Sequence, residues 1–304
     1  MRNILHIARE RDFMLFYKTV IRADNSNNIQ LSRKCTTTVG GKRNLREHRH
    51  TEFEIGFLKS GSGCYTIKGK DYSFSAGDIF IISSNELHCI TEMNCDEPLH
   101  LMNVQFEPRF IWSAENTWFD SNFLKIFFER NEIFENRLSR SNPATDAVRN
   151  ILLEMETEAE NQQPQYALMV KLLIIKMLVT IMRNYDYVKN SDSRFRFSEQ
   201  SLHGLEHTMN YINNNLENGF TLDALAAEAN MNRSYFCTIF KKLNGISPWD
   251  YITIKRIEKS IELLKTTDCT MLEIAMRCGF NNTANFNRAF KKVTGRVPGS
   301  YHSR

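Results

Sequence analysis

Apolar and polar positions change rhythm twice along these 304 residues. Between about 30 and 110 the apolar residues come in short runs with turn-forming clusters between them. The stretch CYTIKGKDYSFSAGDIFIISSNELHCI (64–90) is rich in Ile, Phe, Tyr and Thr, broken by KGKD, SAGD and SSNE. Short strands at such close spacing predict a β-sandwich or barrel. After Pro108 the period lengthens. Residues 116–137 and 144–162 carry apolar residues at helical spacing, and Pro143 and Pro164 mark helix starts or breaks. YALMVKLLIIKMLVTIM (166–182) is the most apolar run, but Lys171 and Lys176 interrupt it. It is too short and too charged for a membrane span, and reads as a buried or interface helix over 165–188. KNSDSRFRFSEQ (189–200) is polar and without period, as a linker is. From 201 onward the pattern is helical with short turns. The fold class that follows is α+β multidomain: a β-barrel over 1–110, a helical bridge over 111–190, a linker over 191–200 and an all-α domain over 201–304.

The last part repeats itself. FKKLNGISPWDY (240–251) returns fifty residues later as FKKVTGRVPGSY (290–301), and an internal repeat signals a repeated supersecondary unit. In the first copy Thr221 is placed to cap a helix whose inner face is Leu222, Leu225 and Ala226. Asn230 falls where a tight turn wants a left-handed residue. Asn232 or Ser234 can cap the next helix, whose buried stripe is Phe236, Ile239, Phe240 and Leu243. Gly245 ends it, and Ser247-Pro248 opens a further helix over 248–266. In the second copy Thr270, Ile274, Ala275, Gly279, Phe286, Phe290, Val293, Gly295 and Pro298 take the same places. Helix, short turn and helix with a small residue at the crossing is the helix-turn-helix plan. Removing the stripes leaves Arg233, Ser234, Cys237, Thr238 and Lys241 on one second helix, and Thr283, Ala284, Asn287, Arg288 and Lys291 on the other. Arg288 suits guanine and Asn287 adenine. Ala284 or the Thr238 methyl suits a thymine methyl. Lys241, Lys242, Lys291 and Lys292 suit phosphates.

Charge sharpens this picture. Residues 201–304 hold 13 Lys/Arg against 9 Asp/Glu, so the whole net charge of +4 lies there, and 1–200 is balanced. A basic domain beside a neutral one fits a nucleic-acid module. Seven scattered cysteines without a CxxC fit free thiols in a reducing cytosol. The N-terminus lacks the apolar core of a signal peptide. No phosphate-binding Gly-rich loop or nucleophile elbow occurs.

On these residues, 205–301 resembles the AraC/XylS-type DNA-binding domain. Its pattern A-x-x-x-G-[FY], then F-K-x-x-x-G-x-S-P-x-x-[FY], runs through Ala226, Asn230 and Met231 with FKKLNGISPWDY, and through Ala275, Gly279 and Phe280 with FKKVTGRVPGSY. Three positions depart from it: Asn230 for the usual Gly, Val297 for Ser, and His302 where Arg is common. The resemblance implies two reading helices joined by the 248–266 helix and entering neighbouring major-groove segments, about 34 Å apart.

The other end carries HRHTEFEIGFLKSG (48–61). It resembles the cupin pattern H-x-H-x3-E-x6-G, then G-x10-H, through His48, His50, Glu54, Gly61, Gly77 and His88. Equal parity sends His48, His50 and Glu54 to one face of a strand. Ser83, Asn85 and Glu92 depart from the second half of the pattern. In metal cupins these three His and one Glu bind a divalent ion, and imidazole with carboxylate suits Zn, Fe, Ni or Mn. AraC-type regulators carry such a barrel as an effector pocket. Three readings of His48, His50, Glu54 and His88 therefore stand beside purely structural histidines: effector contacts, together with Tyr65, ligands of a metal-assisted sensor, or the site of a catalytic cupin. Phe53, Tyr72 and Trp112 are further candidates to stack on a sugar face, or simply core. His203 and His207, i and i+4 on a helix, lack a third ligand nearby.

The expectation is a cytoplasmic, non-enzymatic transcription regulator. Its partners are double-stranded DNA, a small-molecule effector of the sugar class implied by the resemblance, a second copy through the 165–188 helix, and RNA polymerase if it activates; no membrane is a partner. No cofactor is expected beyond the divalent metal left open in the barrel. The rival is a metal-dependent cupin enzyme, or a metal-responsive sensor, with an appended helical domain.

Overall fold

The computed structural model describes residues 13–23, 29–39, 47–94, 97–111, 125–188 and 198–301. Most of the expected linker, the start of the N-terminal arm, Trp112 and His302 lie outside them.

Two sheets build the N-terminal domain. The larger has the order β2-β1-β8-β3-β6, from β1 (Phe13–Ala23), β2 (Ile29–Val39), β3 (Phe53–Ser60), β6 (Ile79–Ile82) and β8 (Leu99–Phe106). The smaller is β5-β4-β7, from β4 (Gly63–Ile67), β5 (Lys70–Phe74) and β7 (His88–Met93). β1 and β8 run parallel and the other pairs are antiparallel. Leu58, Tyr65, Phe74, Phe80, Ile82, Ile90 and Leu101 fill the space between the sheets. On the far face of the larger sheet Phe53, Ile55, Phe57, Ile79 and Val104 belong to a second core, shared with the helices. β3 is thus covered on both faces. That explains why six consecutive residues from Phe53 to Leu58 are buried, and why Glu54, on the inner face with Leu58, is 0% exposed.

Two short helical turns, α1 (Pro108–Ile111) and α2 (Lys125–Phe128), lead to α3 (Ala144–Asn161) and α4 (Tyr166–Asn184). The last two meet the expected 144–162 and 165–188 closely. Of the expected helix over 116–137, residues 116–124 lie outside the described residues; within 125–137 only α2 is helical, and beyond Phe128 the chain turns. Ile81 N–H donates to Asn136 O (2.7 Å) and Leu138 N–H to Ile79 O (2.9 Å), while the Asn136 side chain donates to Ile81 O (2.7 Å). Residues 136–138 thus extend the open edge of β6, and pairing that edge outweighs weak helical spacing. α4 buries Val170, Leu173, Ile174, Met177, Leu178 and Ile181. It leaves Leu168 and Leu172 more than half exposed.

The C-terminal domain is helical. α5 (Glu199–Asn214) precedes two units, α6 (Leu222–Glu228) with α7 (Arg233–Asn244), and α9 (Met271–Arg277) with α10 (Thr283–Thr294). α8 (Pro248–Thr266) joins them, and a 3-10 turn at Pro298–Tyr301 closes the domain. The caps fall where sequence chemistry puts them. Thr221 accepts from Ala224 N–H, Asn232 from Tyr235 N–H and Ser247 from Asp250 N–H, and Thr270 forms a capping box with Glu273. Gly245 and Gly295 end α7 and α10 with φ of 75° and 72°. Ala226 and Ala275 are buried at the crossings.

Candidate DNA-reading helices and barrel cleft

α7 and α10 each bury the expected stripe: Phe236, Ile239, Phe240 and Leu243 are 0% exposed, as are Phe286 and Phe290. The aromatic rings stack edge to face, Phe236 on Phe240 and Phe286 on Phe290, with centroids 5.6 Å apart in both units. What the stripes leave faces outward. Arg233, Ser234, Thr238 and Lys241 on α7, and Ala284, Asn287, Arg288, Lys291 and Lys292 on α10, are exposed; Cys237, Lys242 and Thr283 are half-buried. Thr238 donates its hydroxyl to Ser234 O (2.9 Å), which engages the oxygen and leaves the methyl for a partner. Arg233 sits 3.4 Å from Asp223 and Lys292 3.9 Å from Asp250. Exposed pairs of this kind are worth about 0–1 kcal/mol and exchange readily for phosphate. The sequence missed the cap of α10, Asn282, which accepts from Asn285 N–H at 2.8 Å.

In the barrel, His48, His50, Glu54, His88 and Tyr65 come together. His48 and His50 lie ahead of β3 rather than in it. His48 is held by a two-way backbone bridge to His88 (3.2 and 3.1 Å). Ring centroids are 4.4 Å apart for His48–His88 and 5.2 Å for His50–His88. His50 Nε2 stands 3.2 Å from Glu54 Oε2, and His88 Nε2 3.9 Å from Glu54 Oε1. Tyr65 donates to Glu54 Oε1 at 3.4 Å. Gln105, directly opposite Glu54 across the β3–β8 pairing, donates to Oε2 at 2.5 Å. Gln105 could be found only from that register. Phe53 and Tyr72 are buried in the cores.

Burial, then the neighbouring imidazoles of His88 and His50, pushes His48 down to about 3. Burial pushes His88 down to about 4. Burial works against the charged form of His50 too, but its hydrogen bond to Glu54 and the charge of Glu52 raise it. Glu54, despite its burial, is held well below the usual carboxylate range by His50 and His88.

This group opens on a cleft of about 1320 Å³ whose other wall is α8, through Lys255, Glu258 and Glu262. Lys255 Nζ reaches from that helix to Glu107 Oε1, 2.9 Å away just past β8, and lies 3.2 Å from Glu258. Burial opposes the charge of Glu52, but Lys255 first, then His50 and Arg22, bring it down to about 2. Both reading helices end against the barrel. A Cβ at Gly245 would meet Ser83, Phe53 and Ser84 at 3.6–3.7 Å, and one at Gly295 would stand 3.1 Å from Glu47 O. Elsewhere His203 and His207 lie on α5, where His207 pairs with Glu228 (3.1 Å). Among the described residues no helix is long and apolar enough to cross a membrane.

Comparison with known proteins agrees with this geometry. Residues 41–178 match the AraC-like ligand binding domain, and residues 225–304 match a helix-turn-helix domain family. The HTH-type transcriptional activator RhaR of Salmonella dublin is 24% identical over 260 residues, covering 84% of this chain and 86% of that protein. The lactose operon transcription activator of Staphylococcus xylosus is 22% identical over 258 residues, covering 81% and 82%. The crystal structure of ToxT from Vibrio cholerae, 14% identical, covers 95% of this chain and 97% of its own with a TM-score of 0.55, so the two share a fold. With a barrel of the one kind followed by paired helix-turn-helix units of the other, the chain belongs to the AraC family of transcription regulators.

Proposed function

We propose that the protein is a ligand-responsive, sequence-specific regulator that reads one operator with α7 and α10, takes a small organic effector in the barrel cleft, and works as a homodimer in the cytoplasm. The observation that carries it is the outer face of α10. Ala284, Asn287, Arg288 and Lys291 follow one another at i, i+3, i+4 and i+7, all exposed, opposite a fully buried aromatic stripe. That is one apolar contact, two bidentate base readers and one phosphate contact on a single helical face. The cleft supports an effector by its size and by convergent His, Glu and Tyr groups that suit hydroxyl-rich ligands. The lactose operon activator among the relatives supports a sugar. The activators among the relatives support RNA polymerase as a further partner. The second copy is supported by α4, whose Leu168 and Leu172 face away from the core.

An operator selected from random duplexes tests the reading. Arg288→Ala is expected to relax base preference at one position by about 1–3 kcal/mol, and Lys291→Ala to weaken all sequences alike and flatten the salt dependence. Base preferences left intact in Arg288→Ala would show that α10 does not read the major groove. A melting screen of the full chain against sugars identifies the effector; turnover of any of them would favour the enzyme reading instead.

A further inference from the structure

The barrel cleft is more positive than the domain that forms most of it. Seven Lys or Arg side chains line it against three Glu, although residues 1–200 as a whole are balanced. Two of the acids are already answered within the lining. Glu54 stands 3.2 Å from His50, and Glu258 3.2 Å from Lys255. Lys259 is taken by Glu217 (2.9 Å), and Arg22 donates to Gln105 (3.0 Å) and faces Glu52 (3.9 Å). Lys18, Lys34 and Arg49 remain, and among the described residues no carboxylate lies within ion-pair distance of any of them. Lys18 and Lys34 are direct partners across the antiparallel β1–β2 pairing, and like charges directly opposite repel. Strand alternation brings both to the cleft. Lys18, Val20 and Arg22 on β1 and Gln30, Ser32 and Lys34 on β2 line it, while Ile21 belongs to the core shared with the helices. Lys18 also acts on the floor of the cleft: after burial and the imidazoles of His88 and His50, its charge helps to push His48 down to about 3. Arg49 has a buried Nε without a hydrogen-bond partner among the described residues, and its Nη1 reaches Asn85 Oδ1 only at 3.4 Å. A buried donor left unpaired costs stability.

We propose that the effector of this cleft is an organic anion, a hydroxyl-bearing carboxylate or phosphate monoester, with its charged group between Lys18 and Lys34. The inference rests on the effector reading above and narrows it. Two ammonium groups on facing strands meet an oxyanion from either side as point charges, and the anion turns their mutual repulsion into attraction. Arg49, on the segment that carries His48 and His50, supplies a further donor. Glu54, Tyr65 and Gln105 line the same cleft and suit the hydroxyls of the same molecule. A cleft lined mainly by one sign of charge also gathers ligands of the opposite sign and speeds their capture. The uncharged sugar of the same skeleton would leave the two lysines repelling each other, so charge is what selects between them.

Inorganic phosphate is the first probe. Full-length protein is melted in phosphate and in chloride at equal pH and ionic strength. Phosphate is expected to raise the melting temperature, and Lys18→Gln with Lys34→Gln to abolish the rise, while far-UV circular dichroism shows that the variant folds. If the double variant does not fold, exposed Lys34→Gln alone decides. Calorimetry then compares hexose 6-phosphates and hexonates with the uncharged hexoses. An anionic member is expected to bind at least tenfold more tightly than its parent sugar and to lose at least tenfold in Lys34→Gln; whether phosphate or carboxylate binds names the source of the charge. A hexose bound as tightly as its anions overturns the proposal and leaves the effector reading standing. Indifference to every anion overturns it too. So does a phosphate effect that survives Lys18→Gln with Lys34→Gln and is lost in Lys241→Ala with Lys291→Ala, which would place the anion on the reading helices. Operator binding is read on the same samples, so failure of the regulator reading and failure of the anion are seen separately.

Discussion

Asn230 and Gly279 close the turns of the two units in the left-handed region, with φ of 55° and 78°, yet they should answer differently to substitution. A Cβ at Gly279 would lie 2.3 Å from Leu216 O and 2.7 Å from the Arg256 guanidinium, itself anchored on Leu216 O and Asn218 O. Gly279→Ala should cost at least about 1–3 kcal/mol for the backbone alone, read as a lower urea midpoint. Asn230 is exposed and Asn tolerates the conformation, so Asn230→Gly should stay within about 0.5 kcal/mol. The departure of Asn230 from the family pattern is therefore harmless for a reason visible in the sequence, while the clash that compels Gly279 belongs to a residue more than sixty positions away. Glu86 offers a second test. Burial works against its charge, but Arg130 and Lys68 overcome this and hold its carboxyl below the usual range. A carboxylate with a depressed folded-state pKa adds stability above its unfolded value near 4.3, and that stability is lost as pH falls through the folded value. Acid melts should show this loss below about pH 4. Glu86→Gln should remove it and cost about 3–5 kcal/mol at neutral pH by stranding the buried Arg130 charge.

At the scale of elements, α8 acts as a spacer. Its 19 residues span roughly 28 Å at 1.5 Å each, close to the 34 Å or so between successive major-groove faces of one DNA side. Five base pairs inserted between the two half-sites of a selected operator should turn one reading helix to the wrong face, and binding should fall to its non-specific level in a gel-shift titration. α4 makes the other prediction of this scale: Leu168→Glu with Leu172→Glu should convert a dimer to a monomer by light scattering without lowering the melting temperature, because neither side chain is buried. α8 was legible from period and cap to the residue, and α4 from its apolar run alone, with its end expected at 188 and found at Asn184. The stretch from Glu129 to Arg137 was not, since its apolar spacing is compatible with a helix and only the unpaired edge of β6 decides against it. Sequence periodicity records which face is covered, and an edge hydrogen bond leaves no periodic trace.

For the whole molecule, one cation among carboxylates bridges the barrel and the helical domain beside the ends of α7 and α10. Lys255 is held well above its ordinary range by Glu258, Glu107 and Glu52, against the effect of burial. Lys255→Ala would leave those carboxylates to repel one another, and the two domains should separate, seen as a larger radius of gyration in solution scattering. An unchanged scattering curve would show that the helix-capping glycines hold the domains together without the cation. The barrel half of the candidate site was legible as HRHTEFE, and the α8 half was not, because nothing in the sequence shows that the fold turns Lys255 and Glu258 toward the barrel. That shared wall has a thermodynamic consequence. The spacing of the reading helices and the roof of the cleft are the same nineteen residues, so a ligand that favours one placement of α8 changes the affinity for DNA, and linkage requires DNA to change the affinity for that ligand by the same factor. The operator is then itself an effector of the sensor, and a chain resting on its promoter would answer to a different concentration of small molecule than one free in solution.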